Sequence, residues 1–456
     1  MNGKVLVHRV LRGEGAPRVP WVPFVGVHGG KLAGVDAETY LQSADHMVHG
    51  LERAVALYRP DGLPITFDLQ MEAEVLGCPL RWAPEVPPSV AGHPLEADPH
   101  AALPDFDTNA GRYPLIAEVM ERLGPVAQTT AFYGLITGPF TLVTHLRGHQ
   151  LFLDLIMQPE AIVEMLDRCA DIACKAADFY LERGADVIAV VDPVTSQISP
   201  EHFDEFVTPA VDRVFDHIRN RGALSSLFIC GNATRNIPSM CRTACDSIHV
   251  DENTALTDLA PAARAAGKAF GGNIHLTTVL LLGKPDDARL DTLRCLDEAG
   301  EAGYILAPGC DIPYGTPEEN LEAVAELVHD PYKREVARTL VATNFDDGGE
   351  DDPDLPDFDA PGAVYVDVIT LDSKACPPCQ YMMSAAEQAQ ARLPAHALVR
   401  EHKITNPASI RLMKRLGVAH IPTICIDGRP AYESTIPDAQ ALVRAIEKRY
   451  QGKQPQ

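Results

Sequence analysis

The strongest constraint on the fold is a recurrence: eight short β-rich runs appear along the chain with segments of helical period between or after them. In order they are WVPFVGV, GLPITFD, AFYGLIT, DVIAVVD, LSSLFIC, DSIHVD, KAFGGN and GYILAP, and PEAIVEMLDRCADIACKAADFYLERG and PEENLEAVAELVHD are typical of the helical segments. Alternation of this kind predicts repeated βα units and a parallel sheet. Eight units predict a closed (β/α)₈ (TIM) barrel, spanning residues 1–343. Barrel enzymes place their chemistry at the carboxyl ends of the strands, and Asp68, Asp192, Cys230, Asp251, Asn273 and Cys310 all fall at or just beyond such ends. A shared site for the set is therefore expected, although strand ends also favour Asp, Asn and Gly as turn residues.

A barrel does not use all 456 residues. The stretch NFDDGGEDDPDLPDFDAPG, residues 344–362, is acidic, rich in Pro and Gly and without apolar period, so it reads as an exposed, self-repelling linker. Residues 363–456 then form a small α/β domain. Within it, VYVDVITLDSKACPPCQYMMSAAEQA reads as a strand followed by Cys376-Pro377-Pro378-Cys379 opening a helix. A helix amino terminus lowers the pKa of the first thiol, which makes Cys376 the nucleophile and Cys379 the resolving thiol. Cys-X-X-Cys also occurs in zinc sites, but no second pair stands at the required spacing, so redox chemistry is the better reading.

A net charge of −24 repels phosphate backbones and anionic lipid, and no Lys/Arg-rich run interrupts it. Nucleic acid and membrane surfaces are not expected partners. The first residues, MNGKVLVHRVLRGEG, lack the apolar core of a signal peptide, no later segment approaches a membrane span, and eleven scattered cysteines do not read as a disulfide framework. A cytoplasmic location is expected. Among those cysteines, Cys230 and Cys310 come from two different strand ends and together would make a soft site suited to zinc, which holds a bound thiol as thiolate at neutral pH.

The segments VPFVGVHGGKLAGV, DGLPITFDLQMEAEVLGC, GLITGPFTLVTHLRG, ADVIAVVDPVTSQISPEHFDEFVTP, ICGN, DSIHVDENT, GGNIHLTTVLLLGKPDD and ILAPGCDIPYGTPEENL, across roughly residues 15–335, resemble the uroporphyrinogen-decarboxylase superfamily. Within it they resemble the branch of methylcobamide:thiol methyltransferases. That resemblance implies methyl transfer from a methylcobamide, free or on a corrinoid protein, to a small thiol held by zinc. The branch's zinc motif is His-X-Cys at one strand end with a distant Pro-Gly-Cys; Cys230 and Cys310 match the cysteines, while the histidine position is Phe228. By analogy with zinc methionine synthases Asp251 is a candidate oxygen ligand, and His275 or His249 a stand-in for the missing imidazole. His249 has the drawback of lying inside an apolar strand, where facing away from the site is the ordinary expectation. Asp68 and His28 are the expected catalytic positioning groups of the barrel, and Arg147, Asp192 and Asn273 the expected contacts to substrate or corrin. Glu72 and Glu74 are expected to cap the following helix.

The decarboxylase itself fits less well. Its Arg-Gln-Ala-Gly-Arg motif for substrate carboxylates aligns with GVHGG at positions 26–30, its Tyr with His145 and one His with Cys310, and only its pyrrole-binding Asp survives, as Asp68. In the second domain LGVAHIPTICIDG resembles the thioredoxin segment with a cis-proline beside the redox pair, making Pro422 a substrate-backbone contact. The Trp that precedes the first Cys of thioredoxins is Ala375 here, and the buried acid of the preceding strand aligns with Thr370. Two alternatives stay open: a thiol:disulfide oxidoreductase whose barrel binds substrate without metal, and a lyase resembling the decarboxylase.

Overall fold

The structure is a computed structural model that describes residues 1–341, 355–374, 376–418 and 420–453. The chain folds into two compact units, Met1–Thr343 and Asn344–Gln456.

The first unit is a curled parallel sheet of seven strands in chain order: β1 (Gly62–Pro64), β2 (Ala131–Thr137), β3 (Val187–Val191), β4 (Leu224–Ile229), β5 (Ser247–Val250), β6 (Ala269–Ile274) and β7 (Tyr304–Pro308). Each neighbouring pair is parallel, as the connecting helices require. The strands are almost wholly buried on both faces, because helices such as Pro159–Leu181 cover the outside while Tyr133, Leu135, Val187, Ala189, Val191, Phe228 and Ile305 fill the inside.

The first expected strand, WVPFVGV, is reduced to one bridge. Trp21 pairs in parallel with Leu306. Val22 N donates to Leu306 O (3.0 Å) and Leu306 N to Pro20 O (2.9 Å), while Asp61 N donates to Trp21 O (2.8 Å). Pro20 and Pro23 have no N–H to contribute, so the ladder ends on either side of Trp21–Val22. This segment nevertheless lies between β7 and the start of β1 and is the eighth stave. A carboxylate holds it there: Asp61 accepts from Trp21 N at 2.9 Å and from both terminal nitrogens of Arg18 at 2.6 and 2.7 Å. No helix among the described residues is long and apolar enough to cross a membrane.

The second unit contains β8 (Val364–Thr370), β9 (Ala397–Lys403), β10 (Thr423–Ile426) and β11 (Arg429–Glu433), in the order β9-β8-β10-β11. β8 and β9 are parallel, and the other two pairs antiparallel. Helices Pro377–Arg392 and Ala439–Gly452 pack Met382, Ala386, Leu442 and Ile446 against Val364, Val366 and Val368. Asp367, buried in the central strand, pairs with Arg400 at 2.7 and 2.9 Å and hydrogen-bonds His402 at 2.7 Å.

Part of the segment expected to be an exposed linker belongs to this unit. Residues 344–354 lie outside the described residues, but Phe358 stacks edge-on against Tyr365 and covers Gly428, and its carbonyl accepts from Arg449 at 3.1 Å. The acidic composition hides two apolar anchors, Leu355 and Phe358, that pack on the unit's second apolar cluster.

Candidate active site

The strand ends of the barrel bring two sulfurs together. Cys230 follows β4 and Cys310 lies two residues beyond β7; their Sγ atoms are 2.8 Å apart although the residues are 80 apart in sequence. Both thiols are half-buried, whereas Cys78, Cys169, Cys245 and Cys295 of the same unit are fully buried. They pack on the apolar filling of the barrel. That filling presents an aromatic layer: Phe228, two residues before Cys230 on the same face of the chain, has ring centroids at 5.0 Å from Phe24, 5.8 Å from Phe67 and 5.9 Å from His249.

His249 does not face away from the barrel, as its apolar strand suggests. It points inward, because residues of a strand alternate and Phe228 and His249 are register partners. Its imidazole occupies the space that a side chain at Gly271 would need, and neither ring nitrogen has a hydrogen-bond partner among the described residues. Burial pulls its pKa down to about 3, so it is neutral.

Asp68 does not stand alone. Arg112 Nη1 donates to Asp68 Oδ2, and Arg112 Nε to Glu74 Oε2 at 2.8 Å, so one buried guanidinium holds both carboxylates. Glu72 receives Thr137 N at 3.2 Å and Thr137 Oγ1 at 2.6 Å. Glu72 and Glu74 stand in the first turn of the helix Met71–Val75, as expected, and in addition bond to Thr137 and Arg112. Arg112, in an irregular stretch, carries no sequence signal.

Asp311, the neighbour of Cys310, also escapes the sequence reading. Its carboxyl receives Gly26 N at 2.8 Å and Val27 N at 3.4 Å, and a side chain at Gly26 would collide with it. Burial pushes this carboxyl well up against the pull of those amides, and the charge of Asp68 adds to the rise. The Gly-Cys-Asp sequence together with a glycine where the decarboxylases carry arginine is the available signal.

Several other expected site residues are engaged in holding the scaffold. His28 Nδ1 donates to Tyr314 O at 3.2 Å and Nε2 accepts from Tyr58 Oη at 2.8 Å; burial lowers its pKa to about 4 and keeps it neutral. Arg147 is spent on Asp154 (2.7 Å) and on the carbonyls of Leu95 and Glu96 (2.5 and 2.6 Å). Asp192 receives Thr141 N at 2.7 Å, Thr141 Oγ1 at 2.6 Å and Phe140 N at 3.2 Å, which ties β3 to the helix Pro139–Arg147. Asn273 donates to the carbonyls of Asp251 and Thr254 at 3.3 and 2.7 Å and accepts from Arg294. The buried polar atoms of these groups have partners within the scaffold.

Zinc does not fit what remains. Among the described residues no group of three His, Cys, Asp or Glu side chains is arranged to hold a metal ion. Asp251 is next to Cys230, but Oδ2 receives Gly231 N at 2.6 Å and Oδ1 receives Asn253 N at 2.9 Å. His275 is bound through Nδ1 to Asp291 at 3.0 Å; burial opposes its protonation, and the Asp291 bond outweighs it and raises the pKa. Two thiolates on one tetrahedral zinc, with bonds of about 2.3 Å, stand about 3.8 Å apart, whereas the Cys230 and Cys310 sulfurs are 2.8 Å apart. Phe228, two residues before Cys230, offers no atom that could ligate a metal.

In the second unit Cys376 is half-buried and sits at the N-cap of the helix Pro377–Arg392, and Cys379 is buried one turn in. Thr370 Oγ1 donates to Glu401 at 2.7 Å, and the Ile421–Pro422 peptide is cis. Ala375 lies outside the described residues. Burial pushes the Cys425 thiol up to about 12, which leaves it protonated and inert.

A family model described as uroporphyrinogen decarboxylase (URO-D) matches residues 3–331. Methylcobamide:CoM methyltransferase MtbA of Methanosarcina acetivorans is 29% identical over 341 residues, 71% of this chain and 96% of that protein. The methylated-thiol–coenzyme M methyltransferase of Methanosarcina mazei is 27% identical over 62% of this chain and 74% of its own length. A solved structure, a methyltransferase from Methanosarcina mazei, superposes with a TM-score of 0.66 at 23% identity, covering 75% of this chain and all of that one, and so shares the fold. The match spans the whole barrel: this chain is an enzyme that belongs to the uroporphyrinogen decarboxylase family, and it is related to the methyltransferases of that family.

Proposed function

We propose that the barrel moves a methyl group from a methylcobamide, free or carried on a corrinoid protein, to a small thiol. The observation that carries this reading is the 29% identity to a methylcobamide:CoM methyltransferase over 96% of that protein's length. Decarboxylation of a tetrapyrrole with many carboxylates is disfavoured by the arginines. Positions 26–30 carry none, Arg112 is spent on Asp68 and Glu74, and Arg147 on Asp154. Asp68, the pyrrole partner of the decarboxylases, already has a guanidinium on it.

Methyl transfer needs little from the protein beyond placement: the acceptor sulfur attacks the methyl carbon in line with the bond to cobalt, and cobalt keeps the electron pair. In this reading the strand ends around Cys230 and Cys310 receive that sulfur, beside Asp311. Zinc carries no step in this reading. The second unit supplies a thioredoxin-like redox domain with Cys376 as nucleophile, Cys379 as resolving thiol and Pro422 as a substrate contact. Eleven cysteines suit a reducing cytoplasm.

The test is to incubate the full chain with methylcobalamin and coenzyme M, following the corrinoid spectrum and the mass of the methyl thioether. Thiol-dependent demethylation is expected, with the methyl thioether appearing as methylcobalamin is consumed. Methylcobalamin left intact with coenzyme M and with simple alkyl thiols would refute the assignment.

A further inference from the structure

The sulfur pair has a geometry that methyl transfer does not use. A methyl acceptor site needs one sulfur, and that sulfur belongs to the substrate; a metal site needs a third ligand, which Phe228 cannot supply. What remains is two thiols from different strand ends whose sulfurs are 2.8 Å apart and half-exposed, seated on an apolar layer. Joining them requires the sulfurs to close by under about 1 Å, to the roughly 2.05 Å of a disulfide. The backbone that carries them is pinned nearby: Gly231 N is held by Asp251 at 2.6 Å, and Gly309 N donates to Ile274 O at 3.0 Å. The pair is thus preorganised for bond formation, and both thiols are only partly buried.

We propose that Cys230 and Cys310 form a redox-active dithiol that reduces a small disulfide bound at the barrel's strand ends. One cysteine, as thiolate, attacks a sulfur of the disulfide RS–SR; the S–S bond breaks, the first RS⁻ leaves, and it takes up the proton that the attacking thiol gave up. The protein is now a mixed disulfide. The second cysteine loses its proton, attacks the protein-side sulfur of that mixed disulfide and releases the second RS⁻, which is protonated in turn. The sum is RSSR plus two cysteine thiols giving two RSH plus the Cys230–Cys310 disulfide, with two electrons passing from protein to substrate. A solution dithiol returns the pair to its starting state by the same exchange. The substrate class is the oxidised form of the small thiols proposed above as methyl acceptors, so one site both recovers and uses them. Only this link between the two activities rests on the methyltransferase reading; the exchange itself rests on the sulfur geometry.

The experiment uses the full chain carrying Cys376→Ser and Cys379→Ser, so that the other Cys-X-X-Cys is silent. It is reduced, desalted without oxygen and mixed with bis(2-hydroxyethyl) disulfide. Two thiols released per chain and a tryptic cross-link between the Cys230 and Cys310 peptides are expected. Adding Cys230→Ser or Cys310→Ser should stop the reaction at one released thiol and one trapped hydroxyethylthio adduct on the remaining cysteine, and thermal melts check that each variant is folded. Separate adducts on Cys230 and Cys310 with no cross-link would overturn the proposal. So would a pair that reacts only after zinc has been removed with a chelator. Because no corrinoid is present, a cross-link in a chain that leaves methylcobalamin untouched counts against methyl transfer alone, and the reverse result counts against the dithiol alone.

Discussion

If Phe228 is what separates this barrel from a zinc enzyme, Phe228→His should build the metal site and destabilise the metal-free protein. Phe228 is 1% exposed and touches three other rings. Replacing it gives up much of the about 1.5–3 kcal/mol that burying such a side chain contributes. It also brings ring nitrogens into a layer where His249 already has two without partners, at about 1–3 kcal/mol for an unsatisfied group. In chelator the variant should therefore unfold about 3 kcal/mol more easily in urea. Zinc bound by the new imidazole and the two thiolates adds about 4 kcal/mol when free metal exceeds the dissociation constant a thousandfold, so the loss should be made good by micromolar zinc. Elemental analysis should find no stoichiometric zinc in the wild type and one per chain in the variant. One zinc per wild-type chain, lost on Cys230→Ala with Cys310→Ala, would refute the argument from sulfur spacing. A folded Phe228→His protein that takes up no metal would refute the role given to Phe228.

Two more predictions concern the scaffold. Asp61→Ala leaves Arg18 and Trp21 N without their carboxylate at the eighth stave, and urea unfolding should show a loss of about 3–5 kcal/mol; an unchanged midpoint would mean the stave holds itself. His249→Leu removes two buried unpartnered nitrogens and should stabilise the barrel by about 1–3 kcal/mol at pH 7. Burial depresses the folded pKa of His249 to about 3 from its ordinary 6.5, so its share of stability is present above pH 6.5 and is lost as pH falls. Between pH 6.5 and 5 that share is about 2 kcal/mol, and unfolding curves at pH 7, 6 and 5 should lose that much slope in the variant.

Much of the barrel is legible in the sequence because its strands are short apolar runs bounded by turn residues, and seven of the eight form where the runs lie. The eighth is shortened by Pro20 and Pro23, whose effect depends on which backbone groups the neighbours present. The meeting of Cys230 and Cys310 is legible from strand ends alone. The occupation of His28, Arg147, Asp192 and Asn273 is not, since a polar residue at a strand end looks the same in a sequence whether it faces a ligand or a neighbouring carbonyl. Arg112 and Asp311 escape for the opposite reason: their partners, Asp68 and the amides of Gly26 and Val27, are 44 and more than 280 residues away. The acidic stretch before β8 misleads by composition, because two apolar side chains, Leu355 and Phe358, outweigh their many charged neighbours once they find a cluster to join.

The two prolines have a mechanical consequence. A cask is as tight as its narrowest stave, and here that stave meets Leu306 through just two backbone hydrogen bonds, against five paired positions between β2 and β3 or between β3 and β4. Thermal breathing should start at this seam, so the amides of Val22 and Leu306 should exchange with deuterium sooner than those at the middle of β3. Asp311 and Cys310 follow the strand on one lip of that seam, and Gly26 and Val27 lie on the other. A broad, flat macrocycle arriving at the strand ends would meet the rim where it yields most easily.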